Sequence, residues 1–245
     1  MQNNQKVILC ASDLHLNFET VQLLIEREKH QQFDAVFLLG DFLNLQHQEG
    51  EDSELDNLRK LLNPFKCFGC PIYFIPGNHD SDELLQDTYL EEGFINIHKK
   101  SLQIRDDLWI VGLGGSIPGY NKQGLIWQGY PYKSDEEYSQ DLGKLKLPEE
   151  GKIILITHIG PALSQTTICS DDGWDDVIKS GSDSQSNLIK NKKNIILNVH
   201  GHTHDGVGSR MISQCKVVNV GPLLHGNYCI IRISNKVDKI EHIFI

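Results

Sequence analysis

The sequence predicts an α/β fold: two packed mixed β-sheets flanked by helices, a four-layer α/β/β/α sandwich forming a single domain over residues 1–245. Two patterns predict it. Continuous Val-, Ile- and Leu-rich runs alternate with helix-period stretches, which marks strands buried on both faces. Toward the C-terminus the strand-like runs crowd together with turns between them and little room for helices. That reads as a mainly antiparallel ribbon completing the second sheet. The 245 residues show no internal repeat and suit one large domain with a substantial core.

The elements follow in order. KVILCAS (6–12) is the first strand-like run, with a helix predicted around 19–32. AVFLLG (35–40) leads to a helix around 52–63, where Leu55, Leu58, Leu61 and Leu62 fall at helical spacing. PIYFIPG (71–77) precedes a third helix around 82–92, and LQIRDDLWIVGLGG (102–115) has the pattern of a hairpin. KIILITH (152–158) and NIILNVHG (194–201) are further buried runs. SRMIS, CKVVNVG, GNYCIIRIS and KIEHIFI make up the closing ribbon.

Composition narrows the functional classes. Hydrophobic residues are 39% and charged residues 23% of the chain, ordinary for a globular protein in water. The opening MQNNQK is polar and carries no apolar leader. No apolar run approaches the ~20 residues of a membrane helix, so no membrane association is expected. A net charge of −10 disfavours a nucleic-acid partner, which wants clustered Lys and Arg. The six cysteines are scattered, the CFGC at 67–70 lacks a second pair at zinc-ribbon spacing, and there is no Asn-x-Ser/Thr acceptor. A reducing, cytoplasmic location is the expectation.

The chemistry stands just after the apolar runs. VILCAS is followed by Asp13, Leu14 and His15, VFLLG by Asp41, and YFIPG by Asn78, His79 and Asp80. IILIT ends at His158, and IILNVHG runs into His202 and His204. In open α/β sheets, ligand sites gather beyond the carboxyl ends of the strands. Asp13 and His15, like His202 and His204, are spaced i, i+2, which puts both side chains on one side of an extended chain. Aspartate and histidine without thiolate suit Mn²⁺, Fe or Zn²⁺. One ion rarely needs seven such ligands, whereas two ions ~3.5–4 Å apart, bridged by one carboxylate and a hydroxide, use them all.

With these residues in hand, the sequence resembles the calcineurin-like metallophosphoesterase superfamily. SDLH (12–15), GDFLN (40–44), GNHD (77–80), TH (157–158) and GHTH (201–204) occur in that family's order, from residue 6 to about 233. The resemblance implies two divalent metal ions, Mn first and Fe, Zn or Mg as alternatives. Asp13, His15 and His204 are implied ligands of one ion; Asn78, His158 and His202 of the other; Asp41 is the implied bridge. His79 matches the family's general acid. In the protein Ser/Thr phosphatases of the superfamily, an Asp supports that histidine and an Arg follows it; here Asn44 and Leu45 stand in those places, which disfavours that activity.

The implied function is hydrolysis of a small phosphate ester, mono- or diester, by direct attack of a metal-bridging hydroxide. The alternative is a catalytically quiet binding or assembly subunit that keeps the fold, and intact ligand positions argue against it. A nuclease of the superfamily would carry an added capping domain and a basic surface, and neither is visible. VVNVGPLLHGNYCIIRI (217–233) with LGGS (113–116) resembles a subgroup of compact predicted phosphoesterases, with His200 and His225 outside the ligand positions. Two segments could shape specificity. Residues 115–137 carry Tyr120, Trp127, Tyr130 and Tyr132, either over the site or packed as a satellite cluster. TICSDDGWDD (167–176) is an acidic rim candidate that mildly favours a diester or singly substituted phosphate over a polyphosphate.

Overall fold

A computed structural model describes residues 5–44, 54–86, 92–170 and 177–245. Among them the expected runs become strands. The first sheet is built on β1 (Lys6–Ala11), β2 (Ala35–Leu38), β3 (Ile72–Phe74) and β4 (Phe94–Asn96), all parallel. The helices between them are α1 (Phe18–Glu28), α2 (Glu54–Leu62) and the short α3 (Asp82–Leu85). Asn17 caps α1 by accepting from the Thr20 N–H. Residues 52–53 of the helix expected at 52–63, and 87–91 of the helix expected at 82–92, lie outside the described residues.

The second sheet contains the predicted hairpin, β5 (Ser101–Arg105) with β6 (Leu108–Leu113), then β9 (Lys152–Thr157) and β12 (Ile195–His200) parallel to β6. Before β9 comes α4 (Asp135–Lys144), and before β12 comes α5 (Asp183–Asn191). Ser134 and Ser182 cap these two helices.

The closing strands depart from a single ribbon. β13 (Gly208–Ile212) and β14 (Cys215–Asn219) extend the second sheet, with β14 parallel to β12. The chain then crosses over at Gly221, whose φ is +78°, and a 3₁₀ turn at Leu223–His225. β15 (Asn227–Ile233) and β16 (Val237–Phe244) join the first sheet, β15 antiparallel to β1. The crossing satisfies two burial demands at once, because Val218 and Val220 pack from one sheet and Cys229 and Ile231 from the other into the same core. A further four-stranded sheet fills the expected long loops: β7 (Gly119–Asn121), β8 (Gly124–Trp127), β10 (Ile168–Ser170) and β11 (Val177–Lys179).

Strand alternation divides the apolar residues into three layers. Leu9, Val36 and Leu38 face Leu24, Leu58 and Leu61 of the first helical layer. Ile8, Phe37 and Leu39 face Ile154, Ile156, Leu197 and Val199 across the sandwich. Val111, Leu155 and Val217 face Tyr138, Leu142 and Ile189. Each large aliphatic side chain so buried contributes roughly 1.5–3 kcal/mol before entropy is counted. The two β-sheets with outer helices are the sandwich the sequence predicts.

One buried polar set pins the second helical layer to the strand that leads into the site. The Gln185 amide accepts from the Tyr138 hydroxyl (2.7 Å) and donates to Thr157 Oγ1 (3.0 Å) and Asn198 Oδ1 (3.1 Å). All four side chains are buried. Gln185→Leu leaves their polar atoms without these partners and is expected to lower unfolding free energy by about 2–3 kcal/mol in urea titration. An unchanged urea midpoint would contradict this account.

Candidate metal centre

The parallel strands of both sheets end at one edge of the sandwich, and the candidate residues leave them there. Asp13 and His15 follow β1, Asp41 follows β2, and Asn78 to Asp80 follow β3. His158 follows β9, and His202 and His204 follow β12. Several turn sharply as they leave. Asp13 has φ +53°, His15 +47°, Asp41 +53° and His202 +65°, a left-handed conformation costing on the order of 1 kcal/mol or more for non-glycine residues. It persists because the loops hold one another. The N–H groups of Asp13, His15 and Leu16 donate to the carbonyls of Gly40, Asp41 and Phe42.

The structure brings all eight sequence candidates into one cluster. Ligand atoms of Asp13, His15 and His204 lie within 4.8 Å of one another, and so do those of Asp41, His158 and His202. Asp41 stands between the groups, its Oδ2 3.2 Å from His158 Nε2 and 3.8 Å from His15 Nε2. Asn78 Oδ1 is 3.2 Å from His158 Nε2. The His79 N–H donates to Asp41 Oδ1 (2.8 Å), and its ring meets His15 edge-on at 5.0 Å.

The donor set fits divalent cations. His158 Nδ1 is 2.7 Å from the Leu39 carbonyl, and His15 Nδ1 contacts the Leu43 carbonyl and Asn44 Oδ1. Those contacts place a proton on each Nδ1 and turn each Nε2 inward, where its lone pair would serve a cation that displaces any proton there. Nε2 of His15 and Nε2 of His202 are buried and have no hydrogen-bond partner. Buried polar atoms are normally satisfied, so two orphaned imidazole nitrogens beside two carboxylates call for a cation.

The electrostatics agree. Burial works to raise Asp41, yet His158, His79 and His15 outweigh it and hold the carboxyl well below the usual range. Asp13 is held at about 2 against burial, by its hydrogen bond to His204 and the charge of His158. Burial works to lower His158, but the Asp41 carboxylate lifts it to about 9. His202 and His200, dominated by burial, are pushed down to about 3 and about 4.

Three further residues support the centre from outside the ligand set. Asp80 is buried and accepts four backbone N–H bonds, from Asp41, Phe42, Leu43 and Gly77, at 2.7–3.1 Å. Its motif was visible, but only the fold shows which loop it holds. Burial and the neighbouring Asp41 charge push Asp80 up to about 7, against the pull of those donors. Asn219, in the VVNVG stretch, donates to the Thr166 and Thr203 carbonyls and so fixes the histidine loop from behind. Asn44, expected beside His79, bonds His15 through both its oxygen and its amide.

The remaining candidates separate clearly. His200 is buried and bonds Thr166 Oγ1 at 2.9 Å, a core position behind the site. His225 is exposed at the rim, its ring 5.8 Å from His204. Leu45 and residues 171–176 of the acidic rim lie outside the described residues.

A family model for the calcineurin-like phosphoesterases matches residues 6–206. The chain belongs to this family. No curated protein sequence matches it significantly. Among solved structures, this calcineurin-like phosphoesterase is similar to TT1561 of Thermus thermophilus (TM-score 0.66, 18% identity, 98% of each chain covered). It is also similar to a dimetal phosphatase from Danio rerio (TM-score 0.61, 9% identity, 98% of each chain). A third is GAP50, the anchor in the inner membrane complex of Plasmodium (TM-score 0.57, 12% identity, 99% of this chain and 85% of that one). Identities this low establish a shared fold.

The Asp80 contacts generate a prediction. Asp80→Asn keeps the shape but sets an amide N–H₂ against backbone donors. We expect the metal-stripped variant to lose about 2–4 kcal/mol of unfolding free energy in urea. A loss below about 0.5 kcal/mol would show that the loops are held by something else.

Proposed function

We propose that the protein is a phosphoesterase that hydrolyses a small phosphate ester, mono- or diester, with two divalent metal ions, manganese foremost. The observation that carries this is the position of Asp41, whose one carboxylate approaches an imidazole from each of two three-residue groups. Asp13, His15 and His204 would hold one ion, Asn78, His158 and His202 the other, with Asp41 shared between them. Ions held there would supply Lewis acidity toward the phosphoryl oxygens and acidify the attacking water. The protein's own groups do the rest. The left-handed turns and the Asp80 bonds keep the donors in place before substrate arrives. His79, tied through its backbone to Asp41 and stacked on the edge of His15, passes a proton to the departing alcohol oxygen.

A quiet assembly subunit is the second reading, favoured by the fold shared with the Plasmodium anchor protein. Orphaned buried imidazole nitrogens count against it, since a protein that had given up metal would gain by replacing them. No helix among the described residues is long and apolar enough to cross a membrane. The thiols of Cys10, Cys67, Cys70, Cys215 and Cys229 are free, which supports placing the protein in a reducing compartment such as the cytoplasm.

The test is hydrolysis of bis-p-nitrophenyl phosphate and p-nitrophenyl phosphate by metal-stripped protein before and after Mn²⁺ is restored. Activity should appear only with metal, and Asp41→Asn should lower kcat/KM on the order of a hundredfold or more. Hydrolysis that survives chelation, or a fully active Asp41→Asn, would overturn the proposal.

A further inference from the structure

The phosphoryl chemistry accounts for the polar residues of the site but leaves one large apolar group unexplained. Trp127, the last residue of β8, meets the imidazole of His202 at 5.8 Å between ring centroids and an interplanar angle of 77°. One indole face lies flat on Gly119, its partner across the hairpin. A Cβ at Gly119 would sit only 2.2–2.6 Å from Cε2, Cζ2 and Cδ2 of the ring. With one face on Gly119 and the imidazole of His202 set T-shaped against it, the residue is half-buried, so part of its indole surface stays open. Its Nε1–H is buried and has no hydrogen-bond partner, although a tryptophan placed only for packing usually finds one.

The other aromatics of this segment are placed differently. Tyr132 is buried, packs on Tyr138 at 5.2 Å and donates to Asp141. Tyr120 pairs with Leu125, and both are exposed. Tyr130 is exposed, and Trp127 is the ring of this segment described against a residue of the metal centre. Its hairpin is also braced: β7 pairs with β11 at Lys179, and Ser116 bridges to Pro131 at the root. A ring held this firmly gives up little entropy when something settles on it.

We propose that Trp127 is a specificity-determining residue: its indole receives the organic group of the ester, selecting substrates with a planar aromatic or heteroaromatic group next to the phosphoryl. This rests on the phosphoesterase reading above. A phosphoryl group held between the two residue groups projects its substituent past either His204 or His202. The His204 flank carries exposed His225, and the His202 flank carries the indole. The half-buried ring offers such a group a stacking partner beside His202.

The experiment is calorimetric binding of phenylphosphonate and ethylphosphonate, whose C–P bonds resist hydrolysis, to the Mn²⁺-loaded full chain. Wild type should bind phenylphosphonate about threefold to tenfold more tightly. Trp127→Leu should abolish that preference while leaving ethylphosphonate affinity within about twofold. Equal affinities in wild type, no phosphonate binding at all, or an equal loss for both ligands in Trp127→Leu would overturn the proposal. If the leucine variant does not fold, the wild-type ratio still decides, and Trp127→Phe should keep part of the preference. Parallel p-nitrophenyl ester assays separate the two readings. An inactive protein that still prefers phenylphosphonate keeps the Trp127 role without the hydrolase, and an active protein with no preference does the reverse.

Discussion

Four backbone N–H groups converge on the buried carboxylate of Asp80, joining the loop after β2 to the loop after β3. The bond from Asp41 N–H anchors that residue in its left-handed conformation, so the carboxylate between the two residue groups depends on it. The loops approach so closely that side chains are excluded. A Cβ on Gly40 would sit 2.3 Å from Gly77 N, and one on Gly77 would sit 2.1 Å from Asp41 Oδ1. Gly40, at φ +94°, also occupies a conformation that suits glycine best. Strain at Asp13, His15, Asp41 and His202 is thus offset by hydrogen bonds among these loops.

The centre belongs to both sheets at once. Asp13, His15, Asp41 and Asn78 come from the first, and His158, His202 and His204 from the second. The His202 N–H donates to the Asp13 carboxylate, and His158 Nδ1 contacts the Leu39 carbonyl, each bond crossing the sandwich. Apolar packing between the sheets therefore sets the spacing of the ligand atoms, and a cation binding both halves would stabilise that packing in return. The Asp41 carboxyl held below its usual range and His158 lifted above its own show that this buried carboxylate draws positive charge to its side.

Much of this was legible in the sequence for a physical reason. Buried parallel strands read as apolar runs, and a functional residue directly after such a run can lie only at the sheet edge. Asp13, Asp41, His158 and His202 are found by that rule alone. The path of the last strands was hidden, because β14 and β15 have the same apolar pattern and nothing local says which sheet each joins. The small sheet was hidden too, since β7, β8, β10 and β11 are short, come from two separate segments and pair only in the folded chain. Asp80 and Asn219 act through backbone groups, which leave no side-chain signature at the positions they hold. Asn44 was assigned a neighbour by analogy, and the left-handed turn at His15 brings a different ring to it.

The central claim is that one carboxylate, Asp41, joins two metal positions. The direct measurement is manganese stoichiometry by elemental analysis together with electron paramagnetic resonance of the Mn²⁺-loaded protein. The account predicts two ions per chain with the spectrum of an exchange-coupled pair, and loss of that coupling in Asp41→Asn. One ion per chain, or two ions giving the spectrum of isolated Mn²⁺, would contradict it.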